Sequence, residues 1–391
     1  MAHRRLTRFV AEVEEASVVI PTYNRSGYLK ECLDSVLGQS VSPLEVIVID
    51  DGSDDGTADM VASFGKAVRY FFQANAGKSR AINVAMQHVR GDLLWIFDDD
   101  DVALADSIEC RLEVLNRRPE LGFVLTGHYL GEDGEDGRVR RTREYVVPQI
   151  AERDLRIELM KGCFVTMQSM LVRTELIRRA GDFDVALRAS EDYDMMLRLS
   201  ALAPFEILRR PTFVFRQHPG PRGRKEARYS AADRQEIFRK YDGIVGRKLR
   251  ATSPLVSFVT RPDELEGTEG MLKALLTRME VMASKGLLDE MFDDLHAALR
   301  QTGAAGAQMI ARRVSVAVRG GYAYPAIADD PSKFFAGIKG VRRVDGGATV
   351  LAGLAAGLAT LAKSYPGSIW DRLQKLHLAV RVMYLAMETT R

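Results

Sequence analysis

The chain contains the run Gly91-Asp-Leu-Leu-Trp-Ile-Phe-Asp-Asp-Asp-Asp101, in which five apolar residues lead directly into four aspartates. An apolar run of this length predicts a strand buried on both faces, as in a parallel sheet. The aspartates would then lie at the carboxyl end of the strand, where open α/β sheets bind their ligands. Adjacent carboxylates repel one another, and a hard cation such as Mg²⁺ or Mn²⁺ relieves that repulsion. The acidic residues alone would favour a solvated turn, but the apolar run before them favours a ligand site.

Two earlier apolar runs, at residues 17–20 and 46–49, predict further buried strands. The second of them ends at Asp50 and Asp51, so acidic residues follow two strands of one predicted sheet. Apolar residues at helical spacing lie between the strands, and this alternation predicts βαβ units with a parallel sheet. In such a sheet the carboxyl ends of the strands share one edge, which is where a nucleotide and a metal would bind.

Length and pattern predict the domain organisation. With 391 residues the chain has room for two or three domains. Strand signals alternate with helical ones in the first part, where residues 163–173 read as one of the strands, and almost all signals after residue 230 are helical. We therefore predict an α/β domain over residues 1–225 and a helical domain over residues 226–391.

Composition restricts the function classes. The net charge is only +2, so no bulk attraction to nucleic acid is expected. The three cysteines are far apart and show neither metal spacing nor a disulfide framework, which indicates a reducing compartment. The N-terminus lacks the apolar segment of a secretory signal, so we expect a cytoplasmic protein, with the inner face of the membrane as an alternative site. The longest apolar run, residues 348–362, is about five residues short of a spanning helix and is interpreted as a packed helix.

Five ordered motifs resemble those of the family-2 inverting glycosyltransferases of GT-A fold. They are Val18-Val-Ile-Pro-Thr-Tyr-Asn-Arg25, Val48-Ile-Asp-Asp-Gly-Ser-Asp-Asp-Gly-Thr57, Gln73-x-Asn-x-Gly-x-x-x-Ala-x-Asn83, the run ending at Asp101, and Glu191-Asp192. The resemblance covers about residues 15 to 220 and implies a Rossmann-like catalytic domain with a mostly parallel central sheet. It also implies a nucleotide-diphosphate sugar as donor, a UDP-sugar being favoured, a divalent metal (Mn²⁺ or Mg²⁺), and inversion at the anomeric carbon.

The resemblance also assigns roles to individual residues. Pro21 and Tyr23 match the loop beside the nucleotide base, and Asp51 matches the acid that recognises the base. Lys78 or Arg80 would lie near the base or the phosphates. The family's metal motif is Asp-x-Asp, and four consecutive aspartates leave its register ambiguous by one position. The matching assigns the metal to Asp100 together with Asp98, and it directs Asp98 or Asp99 toward the ribose.

Asp192 matches the catalytic base, which would take the proton of the acceptor hydroxyl. His218, in the segment Arg216-Gln-His218, is a candidate for contacting the metal or the diphosphate, with a structural role as the alternative. The loop of residues 216–225 combines cations with proline and glycine. It is either a lid over the diphosphate or a solvated basic loop.

Several alternatives stay open at this point. The Asp-x-Asp after an apolar strand would also suit a phosphatase of the haloacid dehalogenase type, and a non-catalytic glycan-binding or nucleotide-binding protein could keep the GT-A fold. The acceptor could be a glycan, a lipid-linked molecule or another hydroxyl compound, with surface polysaccharide or glycoconjugate synthesis as the expected setting. The C-terminal helices would shape the acceptor site, form a homo-oligomer or contact a membrane surface, since Arg342, Arg343 and Lys363 flank the Ala/Gly-rich run.

Overall fold

The computed structural model describes residues 14–218, 230, 233–364 and 368–387. The chain divides into two compact units, made of Met1–Val147 with Val165–Ser230 and of Pro148–Phe164 with Ala231–Arg391. The predicted boundary between residues 225 and 226 lies close to the division after Ser230. Nothing in the sequence pattern indicated that the short segment Pro148–Phe164 belongs to the second unit.

The first unit contains a nine-stranded mixed sheet among its described residues. The strands are β1 (Ala16–Thr22), β2 (Glu45–Asp50), β3 (Val68–Phe72), β4 (Leu93–Ile96), β5 (Val102–Ala103), β6 (Phe123–Asp133), β7 (Val139–Tyr145), β8 (Leu171–Arg173) and β9 (Phe205–Arg216). Their order is β3-β2-β1-β4-β8-β6-β9-β5, with β7 paired to β6. β1 runs parallel to β2 and to β4, and β2 runs parallel to β3. The carboxyl ends of these four strands therefore share one edge, and the predicted α/β fold is confirmed.

Helices connect the strands of this unit and form almost all of the second. In chain order the helices are α1 (Ser26–Leu37), α2 (Thr57–Ala62), α3 (Lys78–Ala85), α4 (Ser107–Arg117), α5 (Leu155–Lys161), α6 (Thr174–Ala180), α7 (Glu191–Leu202), α8 (Arg234–Thr252), α9 (Gly267–Ser284), α10 (Leu288–Ala317), α11 (Ala323–Asp329), α12 (Pro331–Arg342), α13 (Gly347–Ser364) and α14 (Ile369–Met387). Helix α5 and helices α8 to α14 lie in the second unit.

Strand β4 lies in the middle of the sheet, and all four of its residues are buried. It pairs in parallel with β1 and antiparallel with β8, so the sheet changes from parallel to mixed at this strand. Trp95 is fully buried there and packs on the ring of Phe97 and on the guanidinium of Arg111. Burying a large apolar side chain of this kind contributes roughly 1.5–3 kcal/mol. The apolar run before the aspartates thus anchors them to the core of the sheet.

The expectation that residues 163–173 form one strand is wrong. Only Leu171–Arg173 is extended, and Met167–Ser169 forms a turn of 3₁₀ helix. Backbone carbonyls of this turn accept hydrogen bonds from side chains of the core instead of from a neighbouring strand. The indole Nε1–H of Trp95 donates to the carbonyl of Gln168 over 2.7 Å.

The second unit is a helical assembly in which α10 packs against α9, α12 and α13. Its interior contains ion pairs: Asp294 is buried and accepts hydrogen bonds from Arg250 and Arg278. Lys161 of α5 pairs with Glu280 of α9 over 3.3 Å, which joins the segment Pro148–Phe164 to the other helices of its unit. Buried pairs of this kind fix the arrangement of helices more than they add to stability.

Among the described residues, one helix is long and apolar enough to cross a membrane by length and composition. This helix, α13, corresponds to the Ala/Gly-rich run of the sequence, and 44% of its apolar window is buried inside the protein. Its buried residues include Val350, Leu351 and Leu354. Close packing of this face agrees with the interpretation of a packed helix.

Candidate active site

The loop after β1 is joined to the loop after β2 by Asn24. Its backbone N–H donates to Ser53 Oγ and its side-chain oxygen accepts from the Asp54 N–H, both over 2.8 Å. Asn24 has a φ of +52°, a conformation that asparagine tolerates better than most residues. The two loops therefore form one structure at the edge of the sheet, which carries Tyr23 and Asp51.

Asp51 is buried and is held by neutral donors. Its Oδ1 accepts from Gln73 Nε2 over 2.6 Å and from the Ala76 N–H over 2.8 Å. Its Oδ2 accepts from the N–H of Gly77 over 2.7 Å. Gly77 has a φ of +92°, which a side chain would strain, and it directly precedes α3. The loop before α3 is thus wrapped around the carboxylate of Asp51.

The four aspartates after β4 fold back in a turn, since the Asp101 N–H donates to the Asp98 carbonyl over 3.3 Å. One carboxylate oxygen each from Asp98, Asp100 and Asp101 lies within 4.8 Å of the other two. Asp100 and Asp101 are buried, and Asp98 is half-buried. Three clustered carboxylates provide the hard oxygen ligands that Mg²⁺ and Mn²⁺ prefer, so the residues present fit a divalent metal.

Asp99 lies apart from this cluster. Its Oδ2 accepts from the hydroxyl of Thr22 over 2.7 Å, and its Oδ1 is 2.9 Å from Nη1 of Arg25. Burial raises the pKa of Asp99 to about 6, although the attraction of Arg25 opposes the shift. Asp99 is therefore fastened to the end of β1 and to the residue before α1.

Two cationic or potentially cationic side chains share one oxygen of Asp100. Arg25 Nη1 lies 2.7 Å from Asp100 Oδ2, and His218 Nε2 lies 2.8 Å from the same atom. Burial lowers the pKa of Arg25, but attraction to Asp99 and Asp100 outweighs it and raises the pKa above its ordinary value. The carboxylate of Asp100 is thus paired with the guanidinium of Arg25 and with the imidazole of His218.

Asp98 is held by Lys78, the first residue of α3, and by the side-chain amide of Gln168. Burial lowers the pKa of Lys78, but attraction to Asp98 and to Glu191 outweighs it and raises the pKa. Asp192 adds to this attraction. The ammonium of Lys78 is therefore paired with Asp98 and is also attracted by the acidic pair that begins α7.

Helix α7 begins at Glu191, and the preceding residue, Ser190, is buried with a φ of +62°. A positive φ at a residue other than glycine is strained, and such strain is common at functional sites. Asp192 is half-buried and accepts a hydrogen bond from the N–H of Tyr193 over 2.8 Å. Burial, and then the repulsion of Glu191, raise the pKa of Asp192 to about 7. The carboxyl of Asp192 is therefore a weaker acid than an exposed aspartate.

Arg216, the last residue of β9, donates hydrogen bonds that hold the aspartate turn in place. Its side chain is fully buried, its Nε–H donates to the Asp100 carbonyl over 2.8 Å, and its backbone N–H donates to Asp101 Oδ1 over 2.9 Å. Its guanidinium also pairs with Glu31 and Asp133.

These contacts separate Arg216 from the lid expected of residues 216–225. Its guanidinium is occupied by two carboxylates and holds the turn in place, so Arg216 acts as an anchor. Most of that loop, including Arg222, Arg224 and Lys225, lies outside the described residues.

The structure brings together most of the side chains assigned from the sequence, namely Lys78, Asp98, Asp99, Asp100, Asp192 and His218. Pro21 is buried in β1 and Tyr23 is half-buried just after it, at the strand end that pairs with the end of β2. Arg80 is exposed, and its side chain lines a surface pocket together with Asp182.

Sequence reasoning missed Thr22, Arg25 and Gln168, and it left open which of the aspartates 98–101 would hold a metal. Thr22 and Arg25 stand within the first motif, so the motif contained them without indicating their contacts. Gln168 had no signal, because it lies in the segment that was misread as a strand.

Comparison with known proteins identifies the first unit. Residues 17–179 match the family model of glycosyl transferase family 2. This part of the chain is a family-2 glycosyltransferase domain. The domain is 29% identical over 195 residues to an uncharacterised glycosyltransferase of Rickettsia conorii, a match that covers 48% of this chain and 32% of that protein. The chain thus spans about a third of that relative's length.

A further relative agrees with this family, and a solved structure agrees with the fold. The uncharacterised glycosyltransferase EpsJ of Bacillus subtilis is 29% identical over 246 residues, which cover 59% of this chain and 68% of EpsJ. The crystal structure of residues 1–349 of TarS from S. aureus, in complex with UDP-GlcNAc, superposes with a TM-score of 0.52 at 18% identity. That superposition covers 84% of this chain and 92% of the TarS chain, and it shows that the glycosyltransferase domain has the GT-A fold.

Proposed function

We propose that this protein is an inverting, metal-dependent hexosyltransferase that moves a sugar from a nucleotide-diphosphate sugar to an acceptor hydroxyl. One observation carries the proposal. The carboxylates of Asp98, Asp100 and Asp101 lie within 4.8 Å of one another, Lys78 pairs with Asp98, and the carboxyl of Asp192 is near enough to attract the same ammonium. A cation site and a proton acceptor so close together suit a reaction in which a diphosphate leaves and a hydroxyl attacks.

Asp98, Asp100 and Asp101 would hold a Mn²⁺ or Mg²⁺ ion, with His218 beside them. When bound, such an ion supplies positive charge that stabilises the leaving diphosphate. Lys78 offers a second positive charge from the N-terminus of α3, next to Asp98. A point charge of this kind is a common phosphate ligand.

The nucleotide would lie along the ends of β1 and β2. Pro21 and Tyr23 would flank the base and Asp51 would recognise it, while Asp98 or Asp99 would face the ribose. The donor complex of TarS contains UDP-GlcNAc, and we choose a UDP-sugar as the donor on that likeness of fold. Because Asp51 already accepts three hydrogen bonds from the loop before α3, base recognition would use its remaining lone pair or the loop around it.

Asp192 would act as the general base. Its carboxylate takes the proton of the acceptor hydroxyl while the oxygen attacks the anomeric carbon, opposite the departing diphosphate, so the configuration is inverted. A pKa of about 7 suits this task, since it lets the group accept a proton readily and still be ionised in half of the molecules at neutral pH. Such assistance typically contributes about 10²–10⁴-fold to the rate.

The compartment and the acceptor class follow from the sequence pattern and the family resemblance. We place the reaction in the cytoplasm, in the synthesis of a surface polysaccharide or another glycoconjugate, with a glycan, a lipid-linked molecule or another hydroxyl compound as acceptor. The catalytic domain would comprise residues 1–225, and the helices after it would serve the acceptor, an oligomer or a membrane surface. The family match leaves no support for a phosphatase of the haloacid dehalogenase type.

Replacing Asp192 by asparagine tests the proposal. The Asp192→Asn variant should bind the donor nearly as well as the original protein and lose about 10²–10⁴-fold in transfer rate. In the original protein the rate should fall about tenfold per pH unit below pH 7, because the base becomes protonated there. The Glu191→Gln change removes a repulsion that raises the pKa of Asp192, so it should move the midpoint to lower pH. Full activity of Asp192→Asn would exclude Asp192 as the base.

A further inference from the structure

Helix α14 exposes an apolar stripe to solvent. The large apolar residues along it are Trp370 (74% exposed), Leu373 (49%), Leu376 (44%), Val380 (60%), Tyr384 (60%) and Met387 (64%). At about 100° per residue, these six lie within an arc of roughly 120°. Contiguous exposed apolar surface of this kind is uncommon and marks an interaction site.

The stripe is separate from the face that packs α14 onto its own unit. Lys375, Ala379 and Val382 are buried on the opposite side of the helix, and the Lys375 ammonium lies 4.2 Å from the ring centre of Tyr324. The helix therefore has one apolar face that the fold uses and a second one that it does not use.

The charges around the stripe select its partner. Helix α14 contains Arg372, Lys375, His377 and Arg381, and its one acid, Asp371, accepts hydrogen bonds from Ser368 at the start of the helix. By helical geometry Arg372 lies about 40° beyond one edge of the stripe and Arg381 about 20° beyond the other. Both arginines are exposed. An apolar stripe bordered by cations on both sides complements a negatively charged apolar surface.

We propose that the outward face of α14 binds the surface of an anionic phospholipid membrane. The six apolar side chains enter the boundary between headgroups and acyl chains, while Arg372 and Arg381 contact the phosphates. Trp370 and Tyr384 lie near the two ends of the stripe, and both residue types favour the membrane interface. The proposal does not depend on the donor or on the catalytic residues.

Two other occupants fit less well. In a pair of α14 helices from two copies, the stripes would face each other with Arg372 and Arg381 on their flanks, while the one acid of the helix, Asp371, lies by helical geometry on the side away from the stripe. Three cations along α14 also disfavour its crossing a bilayer, and α13 is the single helix of the described chain that meets the criteria for a span. A helix lying in the membrane surface buries its apolar stripe among the lipids and places its cations beside the anionic headgroups.

Tryptophan fluorescence gives a direct test with the 391-residue chain. The chain contains two tryptophans, and Trp95 is fully buried in β4, so a change in emission on adding vesicles reports Trp370. We expect a blue shift and co-sedimentation with vesicles of phosphatidylcholine mixed with phosphatidylglycerol. Binding to phosphatidylcholine alone should be much weaker, and added salt should reduce binding to the mixed vesicles.

Variants separate the apolar and the charged contributions. Leu373→Asp/Val380→Asp should weaken vesicle binding by about tenfold or more. Val146→Asp is the matched control, because Val146 in the first unit is 63% exposed against 60% for Val380, and this variant should bind as before. Arg372→Glu leaves the apolar stripe intact and should weaken binding to the anionic vesicles by about tenfold. Trp370→Phe should still bind but lose the fluorescence shift.

The proposal fails if the protein does not sediment with the anionic vesicles, or if the Leu373→Asp/Val380→Asp variant binds them as well as Val146→Asp does. It also fails if the emission of Trp370 shifts with protein concentration in the absence of vesicles, because that result would assign the stripe to a second copy of the chain.

Discussion

Aspartates follow two strands at the same edge of the sheet, and the donors around them differ. After β2, Asp51 accepts from two backbone N–H groups and a glutamine amide, all of them neutral. After β4, Asp98 and Asp100 face Lys78, Arg25 and His218, which carry or can acquire positive charge. Backbone donors are fixed by the fold, whereas the ends of long cationic side chains can move away.

The difference in donors indicates different roles for the ends of β2 and β4. The carboxylate at the β2 end is held in place without a ligand, because two of its three partners are backbone N–H groups that the chain cannot withdraw without unfolding a loop. The β4 end is a place where one cation can replace another, since the protein's own cations occupy the carboxylates that would bind a metal. The comparison therefore predicts that an added divalent cation competes with side chains after β4 and does not affect the site after β2.

The largest effect is expected from Asp100→Asn. It should abolish the stabilisation of the protein by Mn²⁺ in a thermal-shift measurement and lower the transfer rate by about 10²–10³-fold, since a bound metal is worth several kcal/mol in the transition state. Asp51→Asn is the control at the other strand end, and its thermal shift with Mn²⁺ should be that of the original protein. Loss of the Mn²⁺ response in Asp51→Asn would remove the distinction between the two ends.

A second prediction compares the stability of the two variants in metal-free buffer. The amide introduced by Asp51→Asn would present its N–H₂ group to donors, so this variant should lower the free energy of unfolding by about 1–3 kcal/mol. Asp100→Asn loses contacts with Arg25 and His218 but also removes repulsion among neighbouring aspartates, and it should cost less. Urea unfolding measures both values, and a larger loss for Asp100→Asn would show that the cations fix the β4 end as firmly as the backbone fixes the other.

Periodicity and the ordered motifs were sufficient to predict the sheet edge and its acidic residues. The run Asp98–Asp101 could be predicted as a cation site because its acidity and its place after a buried strand are local properties of the chain, whereas the choice of Asp98 and Asp100 within the run came from the resemblance. The role of Asp192 came from the resemblance, and its elevated pKa depends on burial and on Glu191, which only the folded chain reveals.

The side chains that hold the aspartates in place could not be predicted from local sequence. Gln168 reaches Asp98 from a 3₁₀ turn held by Trp95, and Arg216 reaches the aspartate turn from more than a hundred residues away. Such contacts depend on tertiary packing and leave no period in the sequence. The outer face of α14 differs from these contacts. The helical spacing of its apolar residues can be read from the sequence, but their exposure to solvent is known only from the fold.

The smallest effect is expected from Arg25→Met. This variant tests most directly whether a metal replaces the protein's own cations at the carboxylates after β4. Arg25 lies between Asp99 and Asp100, and a metal bound by Asp100 must compete with its guanidinium. Removing that charge should raise the affinity of the nucleotide-free protein for Mn²⁺ by a few-fold, up to about tenfold, as measured by calorimetry. Lys30→Met is the matched control, because it removes a cation from an exposed pair with Asp34 on α1 and should leave Mn²⁺ binding unchanged. If Arg25→Met bound Mn²⁺ more weakly than Lys30→Met, Arg25 would support the metal site by positioning Asp100, and the cations after β4 would be permanent parts of the site like the amides around Asp51.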